Sequence, residues 1–261
     1  MKSLVFDIGN TDITIGVGYD QEWRHVFRLP SDIEKPVHLY FNSLRDLFLE
    51  HQLKFDKLSL IAISSVVPDL TPHIEQAIAQ LTEKKPIILS AENFTLLPIK
   101  VLNPQQIGSD LVCNALAAYH LYKRACLVVD FGTALTFTTL SNNGLIEGVA
   151  ILPGLKTSIK ALTQNTARLF EVPLQVPVSV LGKDTTHAIQ AGVLIGYEGL
   201  VTHMVNRVKT ELGIPDLPVV ATGGLSSILP VVKDTFTDVK AKLTLDGLRL
   251  AGEIIQLRLN A

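Results

Sequence analysis

Apolar and polar residues alternate through positions 2–8, again through 12–19, and again through 22–29. This period-two pattern predicts three consecutive strands joined by short turns. The period then changes: Val37, Tyr40, Phe41, Leu44, Leu47 and Phe48 recur at helical spacing within residues 36–52, which predicts a helix with one apolar stripe. Residues 58–64 read as a short buried strand, 71–82 as a helix with Pro72 near its start, and 86–89 as another strand. A strongly apolar helix is expected over 109–122, ending near Lys123-Arg124.

The same order then repeats. Strands are expected at about 125–130, 134–140 and 145–151, with Asn142-Asn143-Gly144 as a hairpin turn. Helices follow at 155–166 and 184–211, a strand at 218–222, and helices at 225–235 and 245–259. Three strands followed by alternating helices and strands, twice over, predict an α/β fold with a mixed sheet in each half. The boundary falls near residue 122, dividing the chain into halves 1–122 and 123–261 with a cleft between them. No low-complexity or Pro/Ser-rich linker marks that boundary, so the halves are expected to pack closely.

The duplication carries chemistry with it. Asp7-Ile8-Gly9-Asn10-Thr11-Asp12-Ile13-Thr14 is echoed 123 positions later by Asp130-Phe131-Gly132-Thr133-Ala134-Leu135-Thr136-Phe137. Each copy follows an apolar run, Leu4-Val5-Phe6 or Leu127-Val128-Val129. Both read as strand, tight glycine turn, strand, with a carboxylate at the first strand's end. Backbone N–H groups in such a turn approach phosphate oxygens while the acid holds a cation. An ordinary hairpin explains one copy equally well; two copies at matching positions favour phosphate binding.

Two further segments are candidates. Gly223-Gly224 follows the apolar Val219-Val220-Ala221-Thr222, where absent Cβ atoms let a ring or ribose approach the backbone. Asn103-Pro104-Gln105-Gln106-Ile107-Gly108-Ser109-Asp110 opens the apolar helix. Asp110 there is either a first-turn acid serving the helix or a proton-accepting carboxylate presented beside Gly108.

Other patterns fail. Gly182-Lys183-Asp184-Thr185 resembles the tail of a P-loop, but Pro177 occupies the position of the required first glycine. Thr185 is then a hydroxyl near a helix start. Gly16-x-Gly18 lacks the third glycine and the following helix of a dinucleotide fingerprint. The seven histidines show no metal-ligand spacing, and no Gly-x-Ser-x-Gly elbow occurs.

Composition narrows the partners. The chain has 261 residues, is 47% hydrophobic and 18% charged, and carries a net charge of −2. That balance predicts no sequence-independent attraction to nucleic acid or to an anionic membrane. No apolar run approaches the ~18 residues needed to span a bilayer. Asp7 interrupts the first apolar stretch, so the N-terminus reads as a buried strand rather than a signal peptide. Cys113 and Cys126, each in an apolar segment, read as buried free thiols, and the expected location is cytoplasmic.

Taken jointly and in order, several motifs resemble one family. They are Asp7-Ile8-Gly9-Asn10-Thr11, Ser65-Val66-Val67-Pro68, Asn103-Pro104 with Gly108-Ser109-Asp110, and Asp130-Phe131-Gly132-Thr133-Ala134. Gly148 with Pro153-Gly154, Gly182-Lys183-Asp184-Thr185 and Ala221-Thr222-Gly223-Gly224 complete the set. The chain resembles type III pantothenate kinases, within the actin-like ATPase, acetate kinase and sugar kinase superfamily. The resemblance implies a duplicated ribonuclease H-like fold with a mixed five-stranded sheet and helices in each half. It also implies ATP-dependent phosphorylation of pantothenate, the first step of coenzyme A synthesis, by a homodimer using ATP, Mg²⁺ and a monovalent cation (K⁺ or NH₄⁺).

The resemblance carries residue roles as well. Asp110 matches the acceptor of the substrate hydroxyl's proton. Asp7, Ile8, Gly9, Asn10, Thr11, Asp12, Ile13 and Thr14 match the ATP phosphate turn, with Asp7 near Mg²⁺. Asp130 matches a monovalent-cation ligand, and Gly132, Thr133, Gly223 and Gly224 match ATP contacts. Asn103, Gly108, Ser109, Asp110, Leu111 and Thr185 match the pantothenate site. The chain departs from the family pattern at Leu111, where Arg is usual, at Thr136-Phe137-Thr138 in place of Thr-Thr-x-Asp, and at Val149 in place of Gly. Two alternatives therefore stand beside the pantothenate kinase reading: a weakly active or regulatory nucleotide-binding relative, and a kinase for another small hydroxy acid.

Overall fold

The computed structural model describes residues 2–19, 22–54, 58–166, 168–229 and 234–260. Compactness divides the chain into one unit of Met1–Ala117 with Thr244–Ala261 and a second of Ala118–Leu243. A division at residue 122 groups residues 244–261 with the second half instead. The difference arises because the last helix belongs, by packing, to the first unit.

In the first unit, β1 (Lys2–Ile8), β2 (Asp12–Tyr19), β3 (Glu22–Pro30), β4 (Leu58–Ser65) and β5 (Ile87–Ile88) form one sheet in the order β3-β2-β1-β4-β5. β1 runs antiparallel to β2, with Asp7 opposite Thr14, and parallel to β4, with Asp7 opposite Ser64. Alternation along β1 sends Leu4, Phe6 and Ile8 to one face. There they meet Tyr40, Leu44 and Phe48 of α1 (Val37–Glu50) and Ile74, Ala77 and Ile78 of α2 (Thr71–Thr82) in a continuous apolar core. Ser3, Val5 and Asp7 take the other face.

Two helices belong with that other face: α3 (Ser109–Tyr122), which begins in this unit, and a C-terminal helix, Leu243–Leu259. Glycines permit the close approach. A Cβ at Gly252 would sit 2.9 Å from Leu60 Cδ1 and 3.0 Å from Ala62 Cβ, and one at Gly247 would collide with the Cys113 backbone. The pair Gly16 and Gly18 also has a packing cause: a Cβ at Gly16 would lie 2.6 Å from the Trp23 ring. Trp23 lies over these glycines and donates Nε1–H to Asp246 Oδ1 at 2.6 Å, tying β3 to the last helix.

The second unit repeats the plan. Here β6 (Cys126–Phe131), β7 (Ala134–Leu140), β8 (Ile146–Pro153), β9 (Val219–Thr222) and β10 (Asp238–Val239) form a sheet in the order β10-β9-β6-β7-β8. Read from its outer hairpin strand, this is the order of the first sheet, with the same parallel and antiparallel pairings. Leu127, Val129, Phe131, Leu135, Phe137, Val219 and Ala221 share one core with α4 (Leu155–Gln164) and a long helical run. That run comprises α5 (Thr185–Gln190), a π-helical turn (Ala191–Ile195) and α6 (Gly196–Leu212). The C-terminal helix is α7.

The α/β architecture with two mixed five-stranded sheets is thus present. Four local expectations differ. The strand at 86–89 pairs only over Ile87–Ile88, where it runs beside Ala62 and Ile63. The uninterrupted helix over 184–211 contains the π turn. No α-helix forms over the described part of 225–235, where residues 224–227 are a turn, 234–235 are 3-10 helical and 230–233 lie outside the described residues. β10 was not anticipated: two residues give no alternation to read, and it exists through its parallel pairing with Val220 and Ala221.

Candidate active site

The first unit gathers its chemistry where α3 meets the ends of β1 and β4. Ser109 is the anchor. Its hydroxyl accepts from Ser65 N at 2.9 Å, reaches Ser65 O at 3.1 Å, and pairs with Ser64 Oγ at 2.9 Å. Ser64 and Ser109 are buried, so these bonds replace water and hold α3 in a fixed position. Those bonds engage the Ser109 hydroxyl within the protein.

Asp110 follows at the first turn of α3, partly buried, with Oδ1 accepting from Leu111 N at 2.8 Å. Burial pushes its carboxyl above the usual range, and hydrogen bonds from the Leu111 and Asp110 backbone N–H groups oppose the rise. A Cβ at Gly108 would collide with Asp110 Oδ1 and sit 3.1 Å from Val66 Cγ1, so glycine there leaves room for this rotamer. One turn further on lies the buried thiol of Cys113. Burial pushes it well up; the Asp7 and Asp110 charges raise it further, while a hydrogen bond to Ser64 opposes. Asp7, Ser64, Asp110 and Cys113 therefore form one neighbourhood, bringing two of the three sequence-selected aspartates together.

Asp7 leads into the turn before β2. Gly9 N donates to Asp12 O at 3.0 Å, and Ser31 fastens the turn, donating N–H to Thr11 O at 3.0 Å and O–H to Gly9 O at 2.6 Å. Asn10 and Thr11 are exposed, as a phosphate turn requires. Ile8 and Ile13 are fully buried in the core, leaving only their backbone atoms for a ligand. Asp12 lies 3.9 Å from Arg28, and Thr14 faces Asp7 across the hairpin.

In the second unit, Asp130 occupies the equivalent place. It stands opposite Thr136 on β7 and Thr222 on β9. Both threonine hydroxyls are buried and lack a hydrogen-bond partner. Gly132 N donates to Ala134 O at 3.1 Å, making this turn one residue shorter than its counterpart, with Gly132 and Thr133 exposed. Two remote glycines close upon it. Gly223 has φ +91, and a Cβ there would lie 2.5 Å from Asp130 Oδ1 and 2.6 Å from Phe131 O. Gly154 donates N–H to Thr133 O at 3.0 Å, and a Cβ there would strike the Gly132 carbonyl. Gly224 joins Gly223 in the turn that follows β9.

Thr185 heads α5, whose first-turn cap is Asp184, accepting from His187 N at 2.8 Å. With Leu162, Leu169, Ala188, Ile189, Gly192 and Val193, Thr185 lines a largely apolar cavity of about 510 Å³. Leu111 is buried within α3, and Asn103 is exposed before it. Among the described residues no group of three or more His, Cys, Asp or Glu side chains could hold a metal. Ser64 was not singled out from sequence, and Cys113, Thr136 and Thr222 were given no site role there. Hairpin counting from Gly132 would have placed Thr136 beside Asp130; Ser64 and Thr222 depend on parallel pairing and have no such local signal.

Two sheets of identical strand order, each ending its first strand in an aspartate before a glycine turn, define an actin-like ATPase and sugar kinase fold. The activator of the 2-hydroxyisocaproyl-CoA dehydratase from Clostridium difficile, solved with bound ADPNP, shares this fold. Its TM-score is 0.51 at 12% identity, covering 100% of this chain and 98% of that one. A sequence profile of type III pantothenate kinase matches residues 3–207. The type III pantothenate kinase of Treponema pallidum (strain Nichols) is 41% identical over 251 residues, 94% of this chain and 91% of the relative. That of Thermomicrobium roseum is 36% identical over 258 residues, 99% of each. The chain belongs to the type III pantothenate kinase family.

Proposed function

We infer that this chain transfers the γ-phosphoryl group of ATP to the primary hydroxyl of pantothenate, in the first step of coenzyme A synthesis. Family membership supplies the reaction. The observation that carries the residue assignment is Asp110: a partly buried carboxyl at a helix start, in one neighbourhood with Asp7.

Phosphoryl transfer has a loose transition state, so positioning and charge neutralisation dominate. We assign the phosphate contacts to the exposed turn around Gly9, Asn10 and Thr11, with Gly132, Thr133, Gly223 and Gly224 as further ATP contacts. Asp110 accepts a hydrogen bond from the substrate hydroxyl, orients it, and takes its proton late, once the oxygen is acidified by bonding to phosphorus. Burial raises the proton affinity of this carboxylate above that of an exposed aspartate, which suits the task. Asn103, Gly108, Leu111 and Thr185 are assigned to the acceptor. Leu111 offers no charge to the substrate carboxylate.

Two cations belong to this reading. Asp7 would hold Mg²⁺ together with the ATP phosphates, in keeping with a cation bound through one carboxylate and substrate oxygens. The Asp130 carboxylate, flanked by the partnerless hydroxyls of Thr136 and Thr222, is an oxygen-only donor set suited to a monovalent cation. When bound, these ions offset the triphosphate charge, which a protein of net charge −2 does not do by itself.

A homodimer is part of the proposal. The edge strand β8 and the segment after α4 leave Ile151, Phe170, Val180 and Leu181 exposed, apolar side chains of the kind a second copy would cover. A cytoplasmic location is proposed with it, since Cys113 and Cys126 are both free and buried. The test is turnover of purified protein with ATP, pantothenate and Mg²⁺, in K⁺ or in Na⁺. Turnover in K⁺ supports the reading; absence of turnover on pantothenate with retained ATP binding removes it.

A further inference from the structure

The Ser109 hydroxyl, which the family resemblance places at the acceptor, has no bonding capacity left for a ligand. A serine hydroxyl carries one hydrogen and two lone pairs. Its hydrogen goes to Ser65 O at 3.1 Å, and one lone pair accepts from Ser65 N at 2.9 Å. The second lone pair then takes the hydrogen of Ser64 Oγ, 2.9 Å away. Ser64 in turn hydrogen-bonds with the Cys113 thiol. One proton order, from Cys113 to Ser64 to Ser109 to Ser65 O, satisfies all of these bonds at once. Ser64, Ser109 and Cys113 are buried, so water does not compete for their polar atoms.

The same bonds fix the helix that carries Asp110. Ser109 and Cys113 are four residues apart on α3, so they share one face of it. Gripping Ser64 from both points holds α3 against rotation about its own axis as well as against sliding. Ser64 and Ser65 are held in their turn by β1, in parallel register with Asp7 and Ile8, and Val66 N donates to Ile8 O at 3.0 Å. The contact therefore sets Asp110 relative to the strand that bears Asp7. The bonds from Leu111 N to Asp110 Oδ1 at 2.8 Å and from Val112 N to Gly108 O at 3.2 Å are local to the turn and do not fix it to the sheet. Side-chain atoms stand ~5–6 Å from a helix axis, so a rotation of about 10° moves a carboxylate by ~1 Å. A displacement of that size costs on the order of 10²-fold in rate.

We propose that Ser109 is a positioning residue for the phosphoryl transfer. Its hydroxyl locks the first turn of α3 to Ser64 and Ser65, aims the Asp110 carboxylate at the acceptor hydroxyl, and does not itself touch substrate. This rests on Asp110 being the proton acceptor.

The experiment compares Ser109→Ala, Asp110→Asn and the double variant with the unaltered full-length protein by steady-state kinetics, varying ATP and pantothenate in turn. In Ser109→Ala kcat should fall about 10–10²-fold, with both KM values within ~2-fold, as expected when binding is left intact. In the Asp110→Asn background the same substitution should cost less than ~2-fold, because a residue that acts through Asp110 has nothing left to aim. Ser64→Ala removes one of the three bonds and is the milder second variant should Ser109→Ala not fold; there too kcat should fall and KM should not rise. A raised pantothenate KM with kcat intact would make Ser109 a substrate contact and overturn the proposal. An undiminished kcat in Ser109→Ala, or an equal loss in the Asp110→Asn background, would overturn it as well. Where that background has no measurable rate, the split between kcat and KM decides. No turnover by the unaltered protein, or full activity of Asp110→Asn, would remove the proton-acceptor reading and the proposal with it. Loss of activity in Asp110→Asn but not in Ser109→Ala would remove the proposal alone.

Discussion

Asp130 stands in parallel register with Thr222, whose hydroxyl is buried beside it without a hydrogen-bond partner. Asp7 stands in the same way with Ser64, but that hydroxyl is fully engaged with Ser109. The two halves therefore share a backbone plan and diverge in what surrounds the aspartate. One is sealed by protein hydrogen bonds; the other keeps oxygens in reserve.

Those reserved oxygens lead to the first prediction. An unsatisfied buried hydroxyl costs about 1–3 kcal/mol, so Thr222→Val, which keeps the shape, should leave the thermal midpoint unchanged or higher. The same substitution should abolish any rate advantage of K⁺ over Na⁺. Paired calorimetric and kinetic measurements separate the outcomes: a lower midpoint with intact cation dependence would make Thr222 purely structural.

Asp110→Asn should reduce kcat by about 10²–10⁴-fold, the usual worth of a general base, with ATP binding retained. The carboxyl is raised by burial, so it is ionised only above the ordinary aspartate range of about 3.9. The acidic limb of the rate profile should fall above that range as Asp110 protonates. The stability sign is opposite: the folded state binds this proton more tightly than the unfolded one, so the group costs stability at neutral pH. Asparagine removes that cost and can still accept from Leu111 N. A pH series of unfolding midpoints should show the variant equal or more stable at pH 7, with the gap closing as pH falls.

Gly223→Ala places a Cβ against Asp130 Oδ1 and forces φ +91 on a residue that resists it. Strain of this kind costs on the order of 1–3 kcal/mol. Displacement of Asp130 should also weaken ATP affinity. Chemical denaturation with an ATP titration tests both; an alanine variant of full stability would show that the turn can relax.

Asp246→Ala breaks the 2.6 Å bond from Trp23 Nε1 and the 3.7 Å pair with Arg249, whose guanidinium lies 5.0 Å over the Trp23 ring. The expected loss is about 1–2 kcal/mol, read as a lower denaturation midpoint. The cation–π contact should hold Arg249 in place.

Both thiols should resist modification while the protein is folded. Burial drives Cys113 well up and Cys126 up to about 12, so neither supplies thiolate at pH 8. Thiol titration should count none in buffer and two in denaturant.

Local pattern made most elements legible. The hairpins of each half follow from period-two alternation and from Asn142-Asn143-Gly144, and the helices at 37–50, 71–82 and 109–122 follow from their apolar spacing. β10 was not legible, because two residues carry no period. The π turn was not legible either, since Ala191–Ile195 keeps an apolar composition compatible with an ordinary helix. Gly16 and Gly18 could be dismissed as a dinucleotide motif from sequence, but the bulk of Trp23 over them is a long-range packing fact.

What the sequence by itself determined is the duplicated α/β plan, the two aspartate–glycine turns and the family, because these rest on short-range periodicity and on motif order. Only the tertiary structure decided which residues keep company at the ends of the strands. Parallel pairing joins segments far apart in the chain, so Ser64 beside Asp7 and Thr222 beside Asp130 leave no local trace. It also decided that α7 packs with the first unit, and that Ser109 grips Ser64 and Ser65, 45 and 44 positions earlier in the chain. Those outcomes depend on which surfaces bury one another, and burial is a property of the folded chain.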